Sequence, residues 1–178
     1  MERFLDRLFA ACGALAALFL FAIFALVLAQ IGGRLAGRAV PGADEFAGYC
    51  LSASTFLALG YALRRDRHIR VTLLLDRLPP GARRRAETFC TLFGLVFALA
   101  FAGYTAEMLY WSVVFNDVTQ GLVPLPLWLP QSGMLLGAAA LALAFAADAL
   151  RLAQGRSPVH LLAAQAEAEA REGALARD

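Results

Sequence analysis

The sequence predicts an all-α integral membrane protein: a four-helix bundle with a short interfacial helix in its central cytoplasmic loop. Three observations predict it. Of the 178 residues, 60% are hydrophobic, and mean hydropathy is +0.63, whereas soluble domains are about 45–50% apolar. Four apolar stretches recur along the chain, each long enough for a hydrocarbon core of about 30 Å. The arginines gather in alternate connecting segments, as expected when those segments share one side of a membrane.

The first span is expected over residues 8–31, after a short N-terminus of mixed charge, MERFLDRL. Gln30 is its strongly polar member, and its length exceeds the 7–15 residues or so of a signal-peptide apolar region, so an uncleaved span is expected. The polar run GGRLAGRAVPGADE breaks the chain before a second span at residues 46–63. Asp44 and Glu45 stand at its start, where carboxylates favour the positive end of a helix dipole. The central loop, residues 64–85, carries eight arginines and His68. Within it VTLLLDRL, residues 71–78, is too short to span but apolar enough to lie in the interface. The third span, residues 88–115, carries Glu107 near its far end beside Tyr104, Tyr110 and Trp111, an interfacial aromatic cluster. A loop without basic residues leads to the fourth span, residues 127–150, in whose first turn Pro130 is tolerated. Residues 1–153 thus form the membrane domain. Residues 154–178, rich in Ala and Glu, form a solvated tail.

All sixteen basic residues are arginine, which reads as compositional bias. With four spans, the N-terminus, central loop and C-terminal side share one face and hold fourteen of the sixteen. The expected topology therefore has both termini and the central loop in the cytoplasm. Arg83, Arg84 and Arg85 are expected to anchor the inner boundary against membrane lipids, and Trp111 and Trp128 the outer one.

Little in the residues points to chemistry. A net charge of +2 argues against nucleic acid as a partner. Cys12, Cys50 and Cys90 lie in three different spans without a CxxC and read as inert buried thiols. His68 and His160 both fall in cytoplasmic segments, so a bis-histidine haem site is excluded on spacing. No cluster supplies the three or four converging ligands of a zinc site, and no GxSxG context supports a nucleophilic serine. No catalytic, cofactor or metal residue is therefore expected. Glu107 is the best candidate for ion coupling, but pairing with Arg34 and Arg38 at the same face is the simpler expectation; Asp148, level with Arg64 and Arg65, is read the same way. Gly133 and Gly137 form a GxxxG, and Gly94, Ala98 and Ala102 a small-residue ladder, both suited to close helix packing in lipid.

The segment DEFAGYCLSASTFLALGYALRRDRHIRVTLLLDRLPP, residues 44–80, resembles the small permease subunit of tripartite ATP-independent periplasmic (TRAP) transporters, the DctQ-like family. The matching features are Glu45 before the second span, Arg64 or Arg65 at its inner end, then His68-Ile69-Arg70-Val71, a short apolar segment and Leu78-Pro79. GLVPLPLWLPQSGMLLG, residues 121–137, is similar to the family's Pro- and Trp-containing approach to the last span. The resemblance covers residues 8–151; Thr72 departs from it, standing where many members have Asp. The resemblance implies a multi-pass protein of the bacterial inner membrane, partnered by a large permease subunit of about twelve spans and by a periplasmic solute-binding protein. The complex would take up a small organic acid by symport with an ion, usually sodium. In that picture the small subunit is a scaffold piece, and Glu45, Arg64, His68, Arg70 and Glu107 are its expected assembly residues. The alternative from a different class is a self-contained homo-oligomeric small transporter or channel using Glu107; a membrane enzyme or redox subunit is a second.

Overall fold

The structure, a computed structural model, describes residues 2–64 and 79–154. The expected interfacial helix, His68, Arg70 and the tail beyond Gln154 lie outside the described residues. Four helices make up the fold: α1 (Glu2–Leu35), α2 (Ala43–Arg64), α3 (Pro80–Val114) and α4 (Trp128–Ala153). All four are long and apolar enough to cross a membrane. The chain is the four-helix membrane bundle that its sequence predicts.

The helices outrun the predicted spans. α1 has 34 residues and α3 has 35, roughly 50 Å each at about 1.5 Å per residue. An apolar stretch marks the part of a helix that lies in hydrocarbon, whereas the backbone stays helical through Arg3, Asp6 and Arg7 at one end of α1 and through Gly32 and Gly33 at the other. Pro80 opens α3 eight residues before its predicted start; a proline at the first helical position costs no hydrogen bond.

Two helix ends are closed in the same way. After α1, the Arg38 N–H donates to the Gly33 carbonyl (2.8 Å) and the Gly37 N–H to the Arg34 carbonyl (3.1 Å), with Gly37 at φ 68°. After α3, Asp117 donates to Ser112 (3.0 Å) and Asn116 to Val113 (3.2 Å), with Asn116 at φ 51°. Both are Schellman closures, which need a left-handed residue just past the helix; glycine and asparagine enter that region at least cost.

Packing runs in series: α1 on α2, α2 on α4, α4 on α3, with α1 touching α4 lightly. Small residues make each seam. Between α1 and α2, Gly13 faces the Tyr61 ring, and the Ser54 hydroxyl donates to the Ala16 carbonyl at 2.8 Å. Between α2 and α4 the approach is closer. A Cβ on Gly133 would come within 2.8 Å of the Ala53 Cβ, and one on Gly137 would overlap the Phe56 backbone. Between α4 and α3, the Phe145 ring fills the space above Gly94, next to the buried Ala98.

The inward face of α3 steps by four, three and four through Glu87, Thr91, Gly94 and Ala98, then by sevens to Thr105 and Ser112. That is the spacing of a left-handed helix seam. Its buried threonines donate to their own helix, Thr91 to the Glu87 carbonyl and Thr105 to the Phe101 carbonyl, so each polar group is satisfied without a partner helix. The three thiols are unequal: Cys12 is buried, Cys50 half-buried and Cys90 exposed. The expectation of three buried thiols fails at Cys90, because α3 packs on one side and leaves that position facing outward.

Gly137→Leu should part α2 from α4. The expected cost is about 1–3 kcal/mol of stability, read as a lower thermal midpoint in detergent. Gly32→Ala, where no atom stands within 4 Å of the new methyl, should leave the midpoint unchanged or raise it.

Candidate functional site

The charged side chains of the described residues gather toward the two ends of the bundle. At the arginine-rich end, where α1 and α3 begin and α2 and α4 finish, Arg64 closes α2. Its guanidinium donates to Asp6 of α1 at 2.8 Å and lies over the Phe9 ring, 5.1 Å from the centroid. Arg64 is buried while Asp6 is 62% exposed, so water screens the carboxylate and the aromatic ring supplies much of the cover. Phe9 itself sits in a cluster with Cys12, Leu57, Leu63 and Ala144, which joins α1, α2 and α4. Gly60 brings α2 within van der Waals reach of both Phe9 and the Ala140 backbone. Asp148 is buried on α4 at this same end.

At the opposite end Glu45 lies in the first turn of α2. Its Oε1 accepts the Leu122 N–H at 2.8 Å, across 77 positions of sequence. Oε2 lies against Gly121, where any Cβ would overlap the carboxylate. Glycine at position 121 is therefore what lets the carboxylate reach the next amide. The loop it holds is ordered by its own backbone: Leu127 N–H donates to the Asp117 carbonyl (2.9 Å) and Thr119 N–H to the Leu125 carbonyl (2.8 Å), around a single antiparallel bridge between Val118 and Pro126. Thr119, buried, accepts the Leu125 N–H on its hydroxyl at 2.9 Å. Val123 packs on Gly42, so the α3–α4 loop covers the α1–α2 loop. Beside this contact is a polar cavity of about 140 Å³, lined by Gln30, Arg34, Asp44 and Glu45 among others; Gln30 Nε2 donates to Asp44 Oδ1 at 2.7 Å.

The expected site residues thus separate into several places. Glu45 and Arg64 each join two parts of this chain, at opposite ends of α2. Glu107 does not meet Arg34 or Arg38. It is exposed on α3 and makes no hydrogen bond or ion pair among the described residues. The reason is the order of packing, which puts α1 and α3 at opposite edges of the bundle. Trp111 and Trp128 both lie at the same end as Glu45, with Trp111 stacked on Phe115 at 5.4 Å and edge-on to Tyr110 at 5.3 Å. Arg84 and Arg85 project from the first turns of α3 and are exposed, while the side chain of Arg83 lies outside the described set. Asp6 and Leu122 were not singled out by sequence. Asp6 had a signal, since the arginine count places it on the same face as Arg64; the Leu122 amide had none. Among the described residues no group of three or more His, Cys, Asp or Glu is placed to hold a metal ion.

Glu45→Ala should free the loop, and Glu45→Gln should keep it, since an amide oxygen also accepts. A hydrogen bond to a charged group is worth about 1.5–3 kcal/mol. The Leu122 amide should therefore exchange about ten to a hundred times faster in Glu45→Ala by hydrogen–deuterium exchange. Unaltered exchange of this amide in Glu45→Ala would show that the loop stands without the carboxylate.

Residues 23–155 match the family of tripartite ATP-independent periplasmic transporters, DctQ component. No curated protein matches the chain. The matched stretch takes in the last third or so of α1 and all of α2, α3 and α4, with Arg64 and the Glu45-held loop; Asp6 and Phe9 lie before it. The chain belongs to the DctQ family and is a small membrane subunit of a TRAP transporter.

Proposed function

We propose that the chain acts as a scaffold and membrane anchor for the large permease subunit of its transporter, which carries the substrate and ion sites for gradient-driven uptake of a small organic acid. One observation supports this reading above the others. The polar contacts of Arg64 and Glu45 lie at the two ends of the bundle and are spent on holding this chain's own parts together. The middle is a seam of glycine, alanine and phenylalanine. Ion and proton pathways place ionisable groups at membrane depth; a scaffold needs a fixed shape and apolar surface. The chain offers that surface on the outward sides of α1 and α3, where Phe21, Phe24, Phe93 and Val96 are more than half exposed.

In this reading the arginine-rich end faces the cytoplasm of a bacterial inner membrane, and the end bearing Trp111, Trp128 and the Glu45-held loop faces the periplasm, within reach of the solute-binding protein. Glu107, exposed on α3 less than two turns from the last helical residue, Val114, is available to a neighbouring subunit. His68 and Arg70 belong to the central loop that would meet the large subunit or the lipid surface.

The same exposure of Glu107 favours one second reading, a homo-oligomer that uses this carboxylate for coupling. Affinity purification of the tagged chain from its native membranes in mild detergent separates the two. The scaffold reading expects a stoichiometric polytopic partner, with its yield reduced several-fold by Arg64→Ala and by Glu45→Arg. Recovery of a homo-oligomer alone, with liposome transport abolished by Glu107→Gln, would overturn it.

A further inference from the structure

We propose that the arginine-rich end of α3 carries a binding site for one anionic phospholipid, with its phosphate on Arg84 and Arg85 and an acyl chain laid along Phe89 and Leu92. The site is an open groove of about 500 Å³ lined, among the described residues, by Gly81, Arg84, Arg85, Thr88, Phe89 and Leu92. Those positions fall on one face of the helix, at steps of three and four. The face changes character along its length, basic at the helix start and apolar from Phe89 onward, as an anionic lipid changes from headgroup to chain.

Both guanidiniums are available. Arg84 and Arg85 are exposed, and neither has an ion-pair or hydrogen-bond partner for its side chain among the described residues. The nearby acid on the helix, Glu87, is buried on the inward face and does not line the groove. The fork of an arginine matches a phosphate's oxygens, and two arginines at adjacent positions present two forks. Gly81 leaves the head of the groove open, since no atom stands within 4 Å of where its Cβ would be. Below, Phe89 and Phe93 stack at 6.1 Å between centroids and form an aromatic wall, with both rings about two-thirds exposed. Leu92 and Val96 continue the strip.

Depth agrees with chemistry. A helix of 35 residues is roughly 52 Å long, more than the 40–45 Å or so of a whole bilayer. The first turns of α3 therefore stand among headgroups while Phe89 enters the hydrocarbon. A free phosphate would satisfy the arginines and leave the apolar part of the groove in water, and a zwitterionic lipid would bring its own cation against them. The inference rests on α3 crossing the membrane and not on the assembly proposed above, so a chain that fails to recover a large subunit can still hold this lipid.

The test uses the full chain in detergent, titrated with phosphatidylglycerol or phosphatidylcholine of the same acyl chains and followed by native mass spectrometry. The expected result is one phosphatidylglycerol bound about tenfold more tightly than phosphatidylcholine. Arg84→Gln with Arg85→Gln should remove that preference, while Arg34→Gln with Arg38→Gln at the other end should keep it. Phe89→Ser, which leaves the charge unchanged, should weaken phosphatidylglycerol binding several-fold and provides the second variant if the arginine pair proves necessary for folding. No headgroup preference in the unaltered chain, an undiminished preference without the two arginines, or complete displacement of the lipid by millimolar inorganic phosphate would each overturn the proposal.

Discussion

The structure depends on the close approach of α2 and α4. Gly137 against the Phe56 backbone and Gly133 against Ala53 bring two helix backbones nearer than side chains would allow. In lipid no hydrophobic force favours one apolar helix face over another, so dispersion between well-fitted surfaces must select the pairing. Once this pair is set, α1 has one free flank of α2 to occupy and α3 one free flank of α4. Gly60, Ala140 and Phe145 extend the same fit toward the arginine-rich end, where Phe9 and Arg64 complete it.

The two polar ends then act on different parts of this frame. Arg64 ties the last turn of α2 to the second turn of α1 through Asp6, and so fixes the angle between two helices. Glu45 ties the first turn of the same α2 to a loop, and so fixes a surface. One helix, the shortest of the four at 22 residues, thus registers both faces of the protein against a common axis. Both faces are thereby referred to a single rigid element.

Much of this was legible in the chain. A bilayer prescribes the length and composition of what crosses it, so four spans and their helical state follow from apolar runs, and the gathering of the arginine-rich segments at one end of the bundle from the number of spans. The GxxxG of α4 and the ladder of α3 were read as packing faces and are packing faces. What escaped were choices among equivalents. Gly and Ala are so frequent that no pattern tells which helix a small-residue face will meet, and the expected Glu107 pairing with Arg34 and Arg38 failed on that order. Glu45 stood out as an acid before a span, yet its acceptance of a backbone amide 77 positions away carries no side-chain signature. Asp6 was hidden by the assumption that a charged N-terminus lies outside the helix, whereas α1 runs through it.

Serial packing has a mechanical consequence. Because each helix is held mainly by its nearest neighbours, cohesion in this protein is close to one-dimensional, a sum of three seams in place of a closed ring. Thermal or lateral stress will peel it from its edges, α1 from one side and α3 from the other, while the α2–α4 pair persists. The two edge helices are also the ones with the most surface to give to a neighbour. A subunit built in this way is a strip whose margins are its least cohesive parts until another protein or a shell of lipid clamps them.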